Sequence, residues 1–274
     1  MRISVLACLL ALGVGLGAPL GAADFTWNVD GDGDWGDAAN WNPMGVPGFG
    51  DNITITNVID AGNPVAVNVG SGITRDVANI TIDPTHQLVV PSNTFLDVTG
   101  DITNEGQLVL DSTGSTTLLR VESSDLTLNG SGQLFLSGEG LNGLTAQGNL
   151  LITNAASHTM AGAGNLGSNS SRFSNLGLID ANVAAGTMTL DPRNNGVGIG
   201  TFINTGVAQA RNGGTLVLTG NGGGEFDGVG TYRAEAGSEV VLTTSAIVRD
   251  ATFETVGDGV VRLADGQNVF FGDI

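Results

Sequence analysis

The chain is short of several residue types, and each shortage excludes a kind of chemistry. Its 274 residues include one cysteine, Cys8, and no lysine. If Cys8 is removed with an N-terminal leader, the mature chain has no disulfide, no thiolate nucleophile and no cysteine-ligated metal. The two histidines, His86 and His158, have no serine or cysteine partner at a motif spacing. We interpret both as ordinary turn or surface residues, and no catalytic constellation is readable.

Basic residues are also scarce. Nine basic residues, all arginine, stand against 27 acidic ones, which gives a formal net charge of −18. Phosphate binding relies on clustered Lys and Arg, whereas these arginines are scattered singly. The balance therefore excludes nucleic acid and anionic membrane surfaces as partners. It suits an extracellular medium in which salt or divalent cations screen carboxylates, and it keeps a secreted protein soluble.

The N-terminus predicts export. Residues 1–23, "MRISVLACLLALGVGLGAPLGAA", carry one early charge, then an uncharged apolar run, then small residues. This layout is typical of a secretory signal peptide with cleavage before Asp24. Glycines and Pro19 interrupt the run, and no later stretch has the roughly 20 apolar residues of a spanning helix. We expect an extracellular or cell-surface protein without a transmembrane segment in the mature chain.

The remaining composition favours an all-β fold. Short alternating runs such as "NITIT" (52–56), "VAVNV" (65–69) and "QLFL" (133–136) are separated by Gly, Asn, Asp and Ser. The chain has 44 glycines, and each costs about 1 kcal/mol in a helix interior. We therefore predict strands and turns, and no long helix.

A degenerate repeat organises these runs. Segments such as "ITNEGQLVL" (102–110) and "FINTGVAQA" (202–210) share an apolar residue, Asn, a small residue and then alternating apolar positions. The small-residue column is predicted at Gly106, Gly132, Ala156, Gly177, Gly206, Gly230 and Gly257, a spacing of about 25 residues.

That spacing predicts a parallel β-helix of about seven coils, in which each strand pairs with its equivalent one coil away. Leu108 and Leu110, Leu134 and Leu136, and Leu216 and Leu218 are expected on equivalent inward rungs. Asn and Gly are expected in the turns because they tolerate positive φ. The alternative is an antiparallel β-sandwich, which also has short strands at regular intervals.

The chain divides into three predicted segments. Residues 1–23 form the signal peptide, 24–75 the Trp-rich N-terminal cap with the first strands, and 76–274 the coils. The pattern runs to the end of the sequence without an evident polar cap. Either the coils continue in a longer product, or the last coil caps itself.

The opening "TWNVDGDGDWGDAANWNPMGVPGFGDNITI" (26–55), followed by "VANITID" and Asn/Gly-marked coils, resembles a broad class of secreted bacterial proteins. These are autotransporter-passenger-like and PEP-CTERM-type surface proteins. The resemblance implies a right-handed β-helix and a role as adhesin, surface-layer component or exopolysaccharide-associated protein. It rests on pattern over nearly the whole mature chain and carries no functional residue. The C-terminal "VRLADGQNVFFGDI" lacks a Pro-Glu-Pro sorting segment.

The stretch "VDGDGDWGDAANWNP" (29–43) holds the candidate sites. Asp30, Asp32 and Asp34 match the first three ligand positions of an EF-hand-type calcium loop, but tryptophans occupy the positions of its glycine and glutamate. An irregular calcium turn is the remaining metal hypothesis, and no other cofactor is expected. Trp35 and Trp41 are candidates for stacking on sugar rings; the structural alternative is a lid over the first coil.

Three functions follow. The first is an exported, non-enzymatic structural or adhesive module, whose partners would be extracellular polysaccharide or cell-surface components. The second is a polysaccharide-active β-helix enzyme, either a lyase or a glycoside hydrolase. That hypothesis predicts a groove along one coil face with paired carboxylates and an arginine within a few ångströms. The third is a passive glycan-binding module.

Overall fold

The computed structural model describes residues 21–57, 59–60, 62–138, 141–194, 202–220, 224–243, 246–266 and 269–272, and the predicted signal peptide falls almost wholly outside them. The described chain is a β-solenoid of nine stacked coils, each contributing one strand to each of three sheets. A short N-terminal segment covers one end. The only helix among the described residues is a single 3-10 turn, Ala38–Asn40.

Sheet A is the longest of the three. It begins with two cap strands, takes the first strand of each of the nine coils and ends with Phe270–Phe271. In spatial order its strands are Trp41–Asn42, Asp24–Trp27, Asn52–Ile55, Ile80–Ile82, Ile102–Asn104, Leu126–Asn129, Leu151–Asn154, Arg172–Asn175, Phe202–Asn204, Glu225–Asp227, Ile247–Val248 and Phe270–Phe271.

Sheets B and C take the second and third strands of each coil, and sheet B begins with one further strand from the cap, Gly33–Asp34. Sheet B contains Gly33–Asp34, Ala66–Asn68, Gln87–Pro91, Gln107–Asp111, Gln133–Leu136, Thr159–Gly162, Leu178–Ala181, Val207–Ala210, Thr231–Ala234 and Thr252–Thr255. Sheet C contains Thr74–Val77, Phe95–Val98, Thr117–Val121, Asn142–Ala146, Gly164–Leu166, Thr187–Leu190, Thr215–Thr219, Glu239–Thr243 and Val260–Leu263.

Strand pairing confirms the solenoid. Successive coils pair in parallel, and among the described residues the one antiparallel pair joins Trp41–Asn42 to Asp24–Trp27 in the cap. The sandwich alternative, which needs antiparallel sheets throughout, is therefore wrong. The coil count is nine rather than seven, because the stack already begins at Asn52.

The core is a stack of side chains that point inward from all three sheets. Leu108 pairs with Leu134 and Leu110 with Leu136, as predicted from the repeat. Leu216 and Leu218 are equally buried but belong to sheet C, where Leu216 pairs with Val240. Their predicted equivalence with the sheet B leucines is wrong, because a similar four-residue pattern occurs in two different strands of the coil.

The small-residue column is real, but two of its members differ from the prediction. The registers of sheet B place His158 and Ala251 immediately before its strands, instead of Ala156 and Gly257. His86 also belongs to the column, one coil before Gly106. Its glycines are needed for space rather than for positive φ: a Cβ on Gly206 would lie 2.2 Å from the Gly177 carbonyl oxygen.

This close approach predicts a stability effect. In Gly206→Ala, the new methyl group would collide with backbone of the preceding coil, which the strand ladder holds in place. We expect a loss of about 1–3 kcal/mol in the free energy of unfolding, measured by urea denaturation. Gly48→Ala is the matched control, since nothing lies within 4 Å of its Cβ position. Equal stability of the two variants would contradict the packing explanation.

Candidate functional site

The three tryptophans form the cap over the first coil. Trp27, Trp35 and Trp41 are each at most 1% exposed. Trp41 packs edge-on against both others, with ring centroids 5.2 Å from Trp27 and 5.3 Å from Trp35. Each indole N–H donates to a backbone carbonyl: Trp27 to Gly31, Trp35 to Pro47 and Trp41 to Trp35. Neither Trp35 nor Trp41 offers an exposed ring face on which a sugar could stack.

The three candidate calcium ligands accept hydrogen bonds from four different protein donors. The Asp30 carboxylate accepts hydrogen bonds from the side-chain amides of Asn57 and Asn63, both at 2.8 Å, and these bonds lower the pKa of Asp30. Asp32 accepts from the backbone N–H of Ala66 and Asp34 from that of Gly36. Among the described residues, no group of three or more acidic, histidine or cysteine side chains is arranged to hold a metal ion.

The calcium hypothesis has a direct test. It predicts that millimolar calcium raises the melting temperature and that Asp30→Ala/Asp32→Ala abolishes the rise. Because the alanine variant also removes hydrogen-bond acceptors from Asn57, Asn63 and Ala66, Asp30→Asn/Asp32→Asn is the matched control: it keeps an acceptor oxygen but loses the charge. An unchanged melting temperature of the wild type in calcium would count against the site.

Both histidines lie in turns, as predicted, but neither is a surface residue. His86 is 3% exposed, and its Nδ1 accepts the backbone N–H of Val65 at 3.1 Å. His158 is fully buried, and burial lowers its pKa to about 4. Both occupy the small-residue column at the corner between sheets A and B, where most other coils have glycine.

His158 belongs to a ladder of buried amides that runs along this corner. Asn104 Nδ2 lies 3.3 Å from His158 Nε2, and His158 Nδ1 lies 2.8 Å from Asn154 Oδ1. Asn154 donates to Asn175, and Asn175 donates to Asn204, at 2.8 and 2.9 Å. The sequence predicts asparagine in turns at positive φ. These four asparagines instead end sheet A strands and form hydrogen bonds with one another and with His158 inside the core.

Five of the eight arginines that the structure describes form ion pairs between neighbouring coils, although their sequence surroundings show no motif. In these five pairs the partners are 21 to 31 residues apart in sequence, which is one coil. The pairs are Arg120–Asp97, Arg211–Asp180, Arg233–Glu254, Arg249–Glu225 and Arg262–Glu239. Knowledge of the coil register would have identified them.

One of these pairs belongs to a carboxylate cluster on sheet C. Asp76 and Asp97 are direct neighbours in register, and Arg120 follows Asp97 one coil further. Arg120 Nε donates to Asp97 at 2.6 Å, and its guanidinium lies 4.6 Å from the centre of the Phe95 ring. Burial raises the pKa of Asp76, and the adjacent Asp97 carboxylate raises it further.

A groove of about 840 Å³ runs along the A–B corner and sheet B. We call it the sheet B groove. Its lining includes the amides of Gln87, Gln107 and Gln133, the carboxylates of Asp32 and Glu105, and backbone at Gly106 and Gly132. His86 also lines it, and no arginine, Phe, Tyr or Trp is among its lining residues. The groove and the Asp76–Asp97–Arg120 cluster therefore lie on different sheets.

Searches against protein-family models, curated proteins and solved structures found no match to this chain. No helix among the described residues is long and apolar enough to cross a membrane. The fold thus defines the class: this chain is a parallel β-solenoid with a tryptophan-lined N-terminal cap.

Proposed function

We propose that the chain is an exported, non-catalytic β-solenoid that serves as a structural or adhesive module at the cell surface. The observation that carries this proposal is the use of its polar side chains. Five arginines form ion pairs between coils, the buried asparagines form a ladder, and the Asp30 carboxylate of the cap binds the loop that follows the first strand of the first coil. A chain whose ionisable groups hold its coils and cap loops together is suited to a rigid structure displayed at a surface.

The proposal is supported by the signal-peptide pattern and by the length of the stack. Nine coils at the strand spacing of about 4.8 Å make a rod roughly 40 Å long. Its sides are sheet faces with fully paired backbone, which can contact a polymer without exposing strand edges along the rod. This geometry favours adhesion to an extended extracellular component.

One specific observation favours the enzyme alternative: the Asp76–Asp97–Arg120 cluster. A carboxyl group with a raised pKa beside a second carboxylate is the arrangement that glycoside hydrolysis uses. However, Arg120 binds Asp97 through two nitrogen atoms, and the cluster does not line the sheet B groove. An ion pair that ties two coils accounts for the same geometry.

Purified protein should be incubated with acidic and neutral polysaccharides and assayed for new reducing ends and unsaturated products. The proposal expects no product in either assay, together with retention of the protein on isolated cell envelopes or exopolysaccharide. Product formation that is lost in Asp97→Asn would replace the proposal with the enzyme alternative. Absence of binding to any envelope fraction would argue against adhesion.

A further inference from the structure

The side chains that line the sheet B groove form a polar ladder with free hydrogen-bonding capacity. Gln87, Gln107 and Gln133 occupy the same register position in three successive coils. Gln87 Nε2 donates to Gln107 Oε1 at 2.9 Å. The side-chain N–H groups of Gln107 and the side-chain carbonyl of Gln87 take no part in this bond. Within the described part of the chain, the Gln133 side chain forms no hydrogen bond, and Gln133 lines the groove.

The spacing of this ladder suits a linear polymer. Neighbouring strands of a parallel sheet are about 4.8 Å apart. The three side-chain amides therefore repeat along the rod axis at a regular interval, as the units of an extended linear polymer do. Thr159 continues the same column in the next coil and also lines the groove. A ligand lying along the axis would meet one polar side chain per coil.

The charges in the groove select against anions. Glu105 accepts hydrogen bonds from the backbone N–H and the hydroxyl of Ser131, and these bonds lower the pKa of Glu105. Asp32 lies at the other end of the groove and accepts a hydrogen bond from the Ala66 N–H. Two carboxylates without an arginine among the lining residues, in a chain of net charge −18, would repel an acidic polymer.

The chemistry of the lining favours hydroxyl groups over peptides. Amides, hydroxyls and carboxylates offer both donors and acceptors, which match sugar hydroxyls. A peptide bound as an added strand would need unpaired backbone, whereas the strands that line the groove are paired on both sides. At Gly106 and Gly132 the lining is backbone, because glycine has no side chain.

From these features we infer that the sheet B groove binds a linear neutral polysaccharide along the rod axis, with Gln87, Gln107 and Gln133 as its principal contacts. This inference rests on the proposed adhesive function and names the ligand class for it. It places glycan recognition on the coils, away from the buried Trp35 and Trp41. Recognition through hydrogen bonds alone gives modest affinity per site, which repeated contacts along a polymer would strengthen.

The test uses the whole mature chain and hexasaccharides of defined linkage, the neutral cello-, xylo- and manno-series against oligogalacturonate. Isothermal titration should detect binding of at least one neutral series and none of the acidic one. Gln107→Leu/Gln133→Leu should weaken that binding about tenfold, since roughly two hydrogen bonds are lost. Gln147→Leu is the matched control: Gln147 is exposed outside the groove and bonds Glu122, so the same substitution should leave affinity unchanged.

A second variant, Gln107→Thr/Gln133→Thr, guards against misfolding because Thr159 already occupies this column in the next coil. Thermal melting checks that each variant is folded. Preference for oligogalacturonate, or neutral-glycan binding that both groove variants leave intact, would overturn the inference. If the wild type binds cell envelopes but no neutral glycan, the inference fails and the adhesive function stands; if it binds neither, both fail.

Discussion

Replacing Trp41 with alanine should lower the free energy of unfolding by about 3–5 kcal/mol, the usual cost of removing a large buried aromatic side chain. Trp41 is 1% exposed and touches three rings, those of Phe25, Trp27 and Trp35. It is the residue through which the cap rings contact one another. Its loss leaves a cavity above the first coil that the short cap strand, Trp41–Asn42, cannot refill.

The damage should be local as well as large. In a solenoid each coil contacts only its neighbours, so loss of one end piece first destabilises the coils beside it. Hydrogen exchange should therefore accelerate most in Asp24–Trp27 and Asn52–Ile55, and least in the coils beyond residue 200. Uniform acceleration along the rod would contradict this explanation.

Two variants separate packing from hydrogen bonding in the cap. Trp41→Phe keeps a ring among its neighbours but loses the N–H bond of 2.8 Å to the Trp35 carbonyl, so an intermediate loss is expected. Met44→Ala serves as the surface control, because Met44 lies in the same cap and is 80% exposed. Its effect should stay within about 0.5 kcal/mol. A Trp41→Ala variant as stable as Met44→Ala would show that the cap does not hold the fold.

The sequence was informative where the pattern reflects the period of the coil. Alternating apolar residues and a small residue every 25 or so positions were enough to predict parallel coils and the leucine stack around Leu108 and Leu134. Individual members of the column were harder to place. Gly257 fits the small-residue pattern, yet the register puts Ala251 there, because turns of different length shift the strands between coils.

Sequence patterns could not predict the contacts between side chains of neighbouring coils. Arg211 and Asp180 are 31 residues apart, and nothing local to either indicates the other. The sheet B groove was missed for the same reason: Gln87, Gln107 and Gln133 look like ordinary exposed strand residues until the register aligns them. The tryptophans and aspartates of the cap were conspicuous in sequence, but burial and hydrogen bonding commit them to the scaffold.

Acidification should destabilise the solenoid through His158. The amide ladder assigns a neutral imidazole: Asn104 donates to Nε2, and the Nδ1 proton is donated to Asn154. A proton added at Nε2 would face the Asn104 N–H groups inside the core and remove their acceptor. This conflict adds to burial, which already lowers the pKa of His158 to about 4, although the nearby Glu105 carboxylate works in the opposite direction.

The direction of the pH effect follows from proton binding in the two states. An unfolded histidine takes up its proton near pH 6.5, whereas folded His158 does so only near pH 4. Between these values the unfolded state binds more protons, so stability that is fully present above pH 6.5 falls as the pH drops to 4 and changes little below. At about 1.4 kcal/mol per pH unit, this single group removes about 3 kcal/mol.

The measurement compares the wild type with His158→Gln by urea denaturation at pH values from 7.5 to 3.5. Carboxylates titrate in both proteins, so the difference between the two curves isolates His158. We expect the variant to be less stable at pH 7.5, because a glutamine cannot bridge Asn104 and Asn154 as the imidazole does, and the gap to narrow steadily between pH 6.5 and 4. A direct NMR titration of the wild-type ring should give a pKa near 4. A gap that stays constant with pH, or a ring that titrates near 6.5, would contradict a neutral buried His158 and with it the direction assigned to the ladder.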